Sequence, residues 1–449
     1  MGEKYYEAAV ETAPRREIKR LQLERLKWQV QRCYEKSEFY RELYDRAGVK
    51  PSHLEKLSHI SRFPVIKKED LRREQALYPP FGRYPLTSLD RVRELHPSSG
   101  TTGNPVNTLW TESDVENITH FTARTLWGFG VRPGDIIQNA FSYGLWVAGM
   151  SVHYAARRLR CFVIPIGAGD TRRQLYFLKT VKPTVILATP SFGIYLSEKI
   201  EGEFEGEETS LRIGAFGGEA GTEVPSTREK LERRLGIDAF DYYGLAEMSP
   251  TFAAECEAKD GLHWAEDHFL VEVVNPDTME PCAEGEVGVL VLTHLTKEGT
   301  PLIRYWTNDY AKVVTSRCAC GRTLARSPGG ILGSADDLLI YKGAKFYPVQ
   351  VEKVVRSFPE LSDEYRIRFV TDEERSLETC TVIVEKSNKG VNLPDSTIEG
   401  KLKKALREEL LVTPEVEILP PDTLERTAFK AKRVERVTGG GKSGKEVQG

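Results

Sequence analysis

The sequence predicts an α/β protein with a large N-terminal domain and a smaller α+β domain at its C-terminal end. Between about residues 92 and 292, short apolar runs such as RLRCFVIPI and PTVILATPS alternate with helical stretches such as RRQLYFLKTV and STREKLERRL. Buried strands that alternate with helices are typical of a sheet covered by helices. A different pattern begins near Asp336 and predicts a helix, two strands and a second helix, at residues 349–357, 365–371, 377–385 and 396–411.

These patterns divide the chain into three predicted parts. Residues 1–335 form the large domain, residues 336–439 the small domain, and the Gly- and Lys-rich residues 440–449 a disordered tail. Near the N-terminus, Pro14 opens a helical pattern that predicts a helix packed on the surface of the large domain. Its apolar positions are Ile18, Leu21, Leu26, Val30 and Cys33.

The composition argues against several classes of function. A total of 63 Lys and Arg residues against 66 Asp and Glu gives a net charge of −3, which provides no general attraction for nucleic acid or an anionic membrane. No stretch approaches the ~20 apolar residues that span a bilayer, and the N-terminal residues lack the apolar segment of a secretory signal. Seven cysteines in such a chain fit reduced thiols in the cytoplasm better than a disulfide framework.

One loop has the composition of a phosphate-binding segment. Its two glycines permit a tight backbone with exposed N–H groups, and its four hydroxyl side chains add hydrogen-bond donors, which suits a polyphosphate. The order of residues differs from that of the common P-loop. Taken alone, the segment also fits a Ser/Thr/Gly surface turn. The loop comprises Ser98, Ser99, Gly100, Thr101, Thr102 and Gly103, followed by Asn104 and Pro105.

A second segment, Tyr242-Tyr243-Gly244 with Glu247, combines aromatic rings, a glycine turn and a carboxylate. An aromatic ring can stack on a purine, and a carboxylate can hold Mg²⁺ near phosphate oxygens. The alternative interpretation is a buried tyrosine pair followed by a glutamate in a turn.

Three cysteines and a histidine form a candidate metal site. Cys256 is followed by His263 after six intervening residues, and Cys318 and Cys320 form a Cys-x-Cys pair. Three thiolates and an imidazole complete the tetrahedral shell of a structural zinc ion, which would clamp two distant segments of the chain. Free thiols, a redox-active Cys-x-Cys pair, or His268 as the histidine ligand are the alternatives.

Ten stretches together resemble the phenylacetate–CoA ligase family of the adenylate-forming acyl-CoA synthetases. They occur in the order of that family, from near residue 34 to near residue 437, and an ordered set is far more specific than one motif. The stretches are SEFYRELYDRAGVKP, SSGTTGNP, GDTRRQLYFL, ATPSF, YYGLAEM, GLHWAEDHF, PLIRYWTNDYA, CACGRT, YKGAKFYPVQVE and FKAKRV.

The resemblance implies roles for individual residues. Residues 98–103, with Thr101 among them, would hold the phosphates of ATP, Glu247 would serve Mg²⁺, and Tyr243 would lie along the adenine. Lys430 would stabilise charge on the α-phosphate. The remaining nucleotide or thiol-channel assignments are Gly218, Glu219, Tyr242 and Gly244 near the adenine, Asp309 at the ribose, Asp336 at the interdomain hinge, and Lys342 and Gly343 near the thiol.

The sequence also departs from the family pattern at three positions of its nucleotide-binding and hinge motifs, and at Phe141, Ser142 and Trp146 near the predicted acyl pocket. Gly218 replaces an alanine, Asn104 a lysine, and Ser334 the arginine of the hinge motif, for which Arg322 is the candidate substitute. The predicted acyl pocket is rich in flat apolar surface, as an aryl group requires. It comprises Phe141, Tyr143, Gly144, Trp146, Ala215 and Phe216.

The expected function is therefore that of an ATP- and Mg²⁺-dependent, AMP-forming ligase that converts an aryl or arylacetic acid through an acyl-adenylate to its CoA thioester. Transfer of the acyl group to the phosphopantetheine of a carrier protein is one alternative, and a nucleotide-binding protein without catalysis is the other. The departures at Asn104 and Ser334 motivate the second alternative. A homodimer is left open.

Overall fold

The fold was analysed in a computed structural model that describes residues 3–98, 104–145, 147–204, 208–372, 377–426 and 433–439. The chain forms two compact units, each made of three segments. Unit 1 comprises Met1–Ala188, Thr209–Gly218 and Phe240–Leu332, and unit 2 comprises Thr189–Glu208, Glu219–Ala239 and Gly333–Gly449.

The helices alternate with strands through most of the chain. They are α1 (Ala8–Glu11), α2 (Arg15–Lys36), α3 (Glu38–Arg46), α4 (Lys68–Leu77), α5 (Glu112–Gly128), α6 (Val147–Arg158), α7 (Thr171–Thr180), α8 (Pro190–Glu203), α9 (Pro225–Leu235), α10 (Pro348–Arg356) and α11 (Asp395–Leu410). Within the described residues, no helix is both long enough and apolar enough to cross a membrane.

The two longest strands, Leu361–Asp372 and Leu377–Lys386, belong to unit 2. They are β1 (Val92–Pro97), β2 (Asn107–Thr111), β3 (Ile136–Asn139), β4 (Phe162–Ile164), β5 (Val185–Ala188), β6 (Ile213–Gly217), β7 (Asp238–Leu245), β8 (Ser249–Ala254), β9 (Leu262–Trp264), β10 (Phe269–Val274), β11 (Gly288–His294), β12 (Tyr305–Ala311), β13 (Arg326–Ser327), β14 (Gly333–Ser334), β15 (Leu339–Tyr341), β16 (Ala344–Phe346), β17 (Leu361–Asp372), β18 (Leu377–Lys386), β19 (Glu415–Leu419) and β20 (Val434–Gly439).

The main sheet of unit 1 has the strand order β13-β9-β8-β7-β6-β5-β3-β4. Strands β4, β3, β5 and β6 pair in parallel, and every residue of Val185–Ala188 is buried, as expected for a strand covered on both faces. Strands β10, β11 and β12 form an antiparallel second sheet, and β1 pairs with β2 as a hairpin. The predicted α/β class is confirmed.

Helix α2 confirms the helix predicted after Pro14. Pro14 is its N-cap residue, and four of the five predicted apolar positions are buried while Leu21 is half-buried. Proline is favoured at a helix start because its missing N–H would have no helical partner there.

The C-terminal part of unit 2 contains a four-stranded sheet with the order β19-β18-β17-β20. Strands β17 and β18 are antiparallel, and each has a parallel partner on its other side. Ile398, Leu402, Leu406 and Leu410 recur at every fourth position of α11, so they form one apolar face that is buried in this core. The two helices and two strands predicted between residues 349 and 411 are confirmed.

A buried ion pair joins α5 to the segment that precedes β10. The guanidinium of Arg124 donates two hydrogen bonds to the carboxylate of Asp267, at 2.7 and 3.1 Å. Both side chains are only 7% exposed. Burial alone would raise the pKa of Asp267, but the charges of Arg124 and His268 hold that pKa well below its usual range.

Replacement of Asp267 by asparagine should destabilise the protein by about 3–5 kcal/mol, because the buried Arg124 would lose its main counter-charge. Urea unfolding followed by circular dichroism measures this loss. Because the folded-state pKa of Asp267 is depressed, the difference from wild type should shrink as the pH falls below about 4. The control is Asp45→Asn, which breaks an exposed pair with Lys50 and should cost less than about 1 kcal/mol. Equal losses in the two variants would contradict the prediction.

Candidate active site

The predicted phosphate loop lies at the end of the β1–β2 hairpin. Ser98 is buried and pairs with Val106, because its backbone N–H donates to the Val106 carbonyl at 2.8 Å and its hydroxyl accepts from the Val106 N–H at 2.9 Å. The two strands therefore hold both stems of the loop. The loop residues Ser99, Gly100, Thr101, Thr102 and Gly103 lie outside the described part of the chain.

Helix α4 fixes the C-terminal stem of this loop. Arg72 donates to the carbonyl of Asn104 at 3.1 Å, and Gln75 donates to the carbonyl of Pro105 at 3.0 Å. The side-chain oxygen of Gln75 also accepts from the N–H of Asn107 at 2.7 Å. Sequence analysis missed α4, since its polar contacts to the loop are made to backbone atoms and leave no motif.

Glu247 lies beside the same hairpin. Thr108 on β2 donates to the carbonyl of Ala246 at 3.2 Å, which places the segment after β7 next to β2. The carboxylate of Glu247 is buried and lies 2.8 Å from the ammonium group of Lys68 at the start of α4. Mg²⁺ is bound by oxygen ligands such as carboxylates, so Glu247 is a suitable Mg²⁺ ligand. Lys68 was missed by the sequence analysis.

Tyr243 and Asp309, which are 66 residues apart, form a direct hydrogen bond. The Tyr243 hydroxyl donates to Oδ2 of Asp309 at 2.5 Å, and the bond joins β7 of the main sheet to β12 of the second sheet. Burial, together with the negative charge of Asp309, raises the pKa of Tyr243 well above its usual value, so the phenol remains a donor. The backbone N–H of Asp309 also donates to the Thr307 hydroxyl at 3.0 Å.

Two glycines allow the close backbone approach that positions the tyrosine pair. A Cβ atom on Gly217 would lie 2.6 Å from the carbonyl oxygen of Tyr242, and one on Gly244 would lie 1.9 Å from the carbonyl oxygen of Pro250. Neither position admits a side chain without movement of the backbone. Gly218 has a φ of +88°, a conformation that glycine adopts without strain.

Four of the predicted acyl-pocket residues follow the parallel strand β3, and the other two lie within β6. Phe141 is buried, and its ring meets that of Tyr242 edge to face at a centroid distance of 6.0 Å. The hydroxyl of Tyr143 accepts from the Asn139 amide at 2.8 Å, and burial raises its pKa to about 12, although the Asn139 contact opposes this shift.

The other predicted pocket positions are a glycine turn, an undescribed tryptophan and two buried residues of β6. Gly144 adopts a φ of +86°, and Trp146 lies outside the described residues. Ala215 and Phe216 are fully buried in β6. His153, which the sequence analysis did not identify, lies 3.3 Å from the Tyr143 hydroxyl through Nδ1.

Several predicted residues belong to unit 2. The carboxylate of Glu219 accepts from the N–H of Ser191 in the first turn of α8 at 2.8 Å. Lys342 and Gly343 form the turn between β15 and β16, with φ values of +49° and +82°. Asp336 lies in the short helical turn Ala335–Asp337, and its side chain, like the whole of Lys430, is outside the described part of the structure.

Arg322 has two carboxylate partners within unit 1. Its guanidinium donates to Glu11 at 2.7 Å and to Glu257 at 3.2 Å, and the side chain is buried. These contacts favour a structural role for Arg322 over nucleotide binding as a substitute for the missing arginine at Ser334.

The four candidate metal ligands come together in unit 1. One donor atom from each of Cys256, His263, Cys318 and Cys320 lies within 4.8 Å of the others, and all four residues are buried. The alternative ligand His268 is instead hydrogen-bonded to the hydroxyl of Thr296 at 2.8 Å.

Known protein families match most of this chain. The model of the AMP-binding enzyme family matches residues 20–295, and that of the AMP-binding enzyme C-terminal domain matches residues 343–436. Phenylacetate-coenzyme A ligase from Thermus thermophilus is 38% identical over 448 residues, which cover 96% of this chain and 98% of that protein.

A solved 2-hydroxyisobutyryl-CoA ligase is 31% identical to this chain. In its postadenylation state with R3-HIB-AMP, it superposes with a TM-score of 0.90 over 97% of this chain and 92% of its own. In its thioesterification state with 2-HIB-AMP and CoA, the TM-score is 0.72 over 97% and 93% of the two chains. The extent of these matches shows that the chain belongs to the AMP-binding enzymes and, among them, to the phenylacetate–CoA ligase family.

Proposed function

We propose that this chain is an ATP-dependent, AMP-forming ligase that activates an aryl or arylacetic acid and transfers the acyl group to CoA. The observation that carries the proposal is the Tyr243–Asp309 pair in a unit that also holds the β1–β2 loop and Glu247. Relatives whose names specify the ligation of phenylacetate to coenzyme A support the same reaction.

The nucleotide has a coherent set of partners in unit 1. Asp309 accepts hydrogen bonds from the ribose hydroxyls, and the ring of Tyr243 lies along the adenine. Because base and ribose are joined by one bond, residues that bind them must be neighbours, as these two are. Residues 98–103 would hold the phosphates, and Glu247, which lies beside Lys68, would hold the Mg²⁺ that neutralises phosphate charge.

Adenylation is the first half-reaction. An oxygen of the substrate carboxylate attacks the α-phosphorus of ATP, the bond to the β-phosphate oxygen breaks, and pyrophosphate leaves. Lys430 stabilises the negative charge that grows on the α-phosphate, and the 98–103 loop retains the leaving group. The product is a mixed anhydride of the acid and AMP, which must be protected from water.

Thioester formation is the second half-reaction. The sulfur of CoA attacks the acyl carbonyl, the bond to the phosphate oxygen breaks, and AMP leaves. We assign this step to the segment around Lys342 and Gly343, with Asp336 as the hinge residue, so that Lys430 serves only the first half-reaction.

The acyl group fits the residues that follow β3. Phe141 and Tyr143 offer flat rings, and the phenol of Tyr143 is neutral at physiological pH because burial moves its pKa further above the ordinary value. A flat neutral surface favours an aromatic ring over a small hydroxylated acid such as 2-hydroxyisobutyrate.

A panel of acids with ATP, Mg²⁺ and CoA tests the proposal. AMP and an acyl-CoA should form in equal amounts with arylacetic or aryl acids, and neither should form without acid. Formation of ADP would contradict the AMP-forming reaction, and a preference for 2-hydroxyisobutyrate would contradict the aryl pocket. A product found only with a phosphopantetheine carrier protein, and not with CoA, would replace the proposed acceptor.

The substitution Asp309→Asn should raise the KM for ATP about tenfold or more, because hydrogen bonds to a charged acceptor are worth about 1.5–3 kcal/mol each. The KM for the acid should stay unchanged. Tyr243→Phe should have a smaller effect in the same direction, since Asp309 keeps its charge. Steady-state kinetics at saturating acid measure both, with Tyr310→Phe on the same strand as the matched control. An unchanged KM for ATP in Asp309→Asn would refute the ribose assignment.

The substitution Lys430→Ala should cripple adenylation but leave thioester formation from preformed acyl-adenylate largely intact. The reason is that Lys430 is assigned to the α-phosphate in the first half-reaction only. Single-turnover assays of each half-reaction separate the two effects. Lys432→Ala is the matched control and should affect neither. An equal loss in both half-reactions would show that the division of roles is wrong.

A further inference from the structure

Two segments far apart in sequence build one thiol and imidazole cluster. Cys256 follows β8 and His263 lies on β9, while Cys318 and Cys320 lie in the turn that precedes β13. None of the four contributes to the proposed reaction. All four are buried, so the cluster is shielded from solvent.

Two distances between donor atoms match those of a tetrahedral shell. Zinc bonds of about 2.3 Å to sulfur and about 2.0 Å to nitrogen would place neighbouring sulfurs about 3.8 Å apart and a sulfur and nitrogen about 3.6 Å apart. The sulfurs of Cys256 and Cys318 are 3.8 Å apart, and Cys320 Sγ lies 3.5 Å from His263 Nε2. A disulfide needs about 2.0 Å, so these sulfurs are spaced as ligands rather than as a bonded pair.

Contacts around the cluster orient two of the ligands. Nδ1 of His263 lies 3.2 Å from the carbonyl oxygen of Leu324, so it must carry the proton and donate, which leaves the lone pair of Nε2 directed at the cysteines. The backbone N–H of Arg322 donates to Cys320 Sγ at 3.4 Å, which stabilises a thiolate. Both contacts are typical of the groups that support metal ligands.

We propose that these four residues bind one zinc ion with a purely structural role. Three thiolates and one imidazole fill a tetrahedral shell, so no position remains for water or substrate. The bound ion would carry a net charge of −1 with its ligands, and the nearby guanidinium of Arg322 offsets that charge.

The Cys-x-Cys turn of the zinc site contacts the N-terminal segment of the chain. The hydroxyl of Tyr5 donates to the carbonyl of Cys320 at 2.9 Å, and the buried carboxylate of Glu11 accepts from Arg322. The backbone N–H of Thr323 also donates to the carbonyl of Glu11 at 2.9 Å. Because these partners lie in or beside the Cys-x-Cys turn, loss of the metal would release the segment.

Elemental analysis of the full-length protein, made with zinc in the medium and without chelator, tests the proposal. Wild type should contain about one zinc per chain. Cys320→Ser should lose most of it, and the matched control Cys282→Ser, whose thiol lies outside the cluster, should keep it. Exchange for Co²⁺ in wild type should give the visible bands of a tetrahedral ion and a thiolate-to-cobalt charge-transfer band.

Limited proteolysis reports on the N-terminal segment. Stripping zinc from wild type should speed cleavage near the N-terminus severalfold, and restoring zinc should reverse this. The proposal would be overturned if wild type contained no zinc or contained iron in its place. It would also be overturned by a cobalt spectrum without thiolate bands. Zinc at full occupancy in Cys320→Ser would overturn the assigned ligands. The wild-type measurements remain decisive if Cys320→Ser does not fold.

Discussion

The close approach of β7 to its neighbours is the constraint on which the rest of the candidate site depends. No side chain fits at Gly217 or Gly244, since a Cβ atom at either would lie within 2.6 Å of a backbone oxygen. The approach brings Tyr243 within reach of Asp309 on the second sheet. The Tyr243–Asp309 hydrogen bond therefore links the two sheets of unit 1 where the base and ribose of a nucleotide are proposed to bind.

Three charge pairs in unit 1 tie segments that are distant in sequence. Arg124 with Asp267, Arg322 with Glu11, and Lys68 with Glu247 each join different elements. An unpaired charge in such a position would be costly, so each pair makes its two segments dependent on one another. The Lys68–Glu247 pair differs because Glu247 is also the residue proposed to hold Mg²⁺.

Local patterns in the sequence were sufficient for the helices and strands predicted between residues 349 and 411 and for the four clustered metal-ligand candidates. The four-residue spacing of Leu402 and Leu406 predicts α11, and the chemistry of thiolates and imidazole predicted a cluster that spans 65 residues. Long-range partners were not predictable, because a single arginine or lysine does not indicate which carboxylate it will meet. Arg322 was proposed for the nucleotide because it lies near Ser334 in the sequence, and that proximity does not reveal its carboxylate partner Glu11, which is 311 residues away.

Formation of an acyl-adenylate is the central claim, and isotope exchange between pyrophosphate and ATP tests it most directly. With an aryl acid and Mg²⁺ but without CoA, label from pyrophosphate should enter ATP, because adenylation is reversible while the anhydride stays bound. Exchange should disappear when the acid is omitted. Absence of acid-dependent exchange under conditions in which the protein forms acyl-CoA would contradict the account.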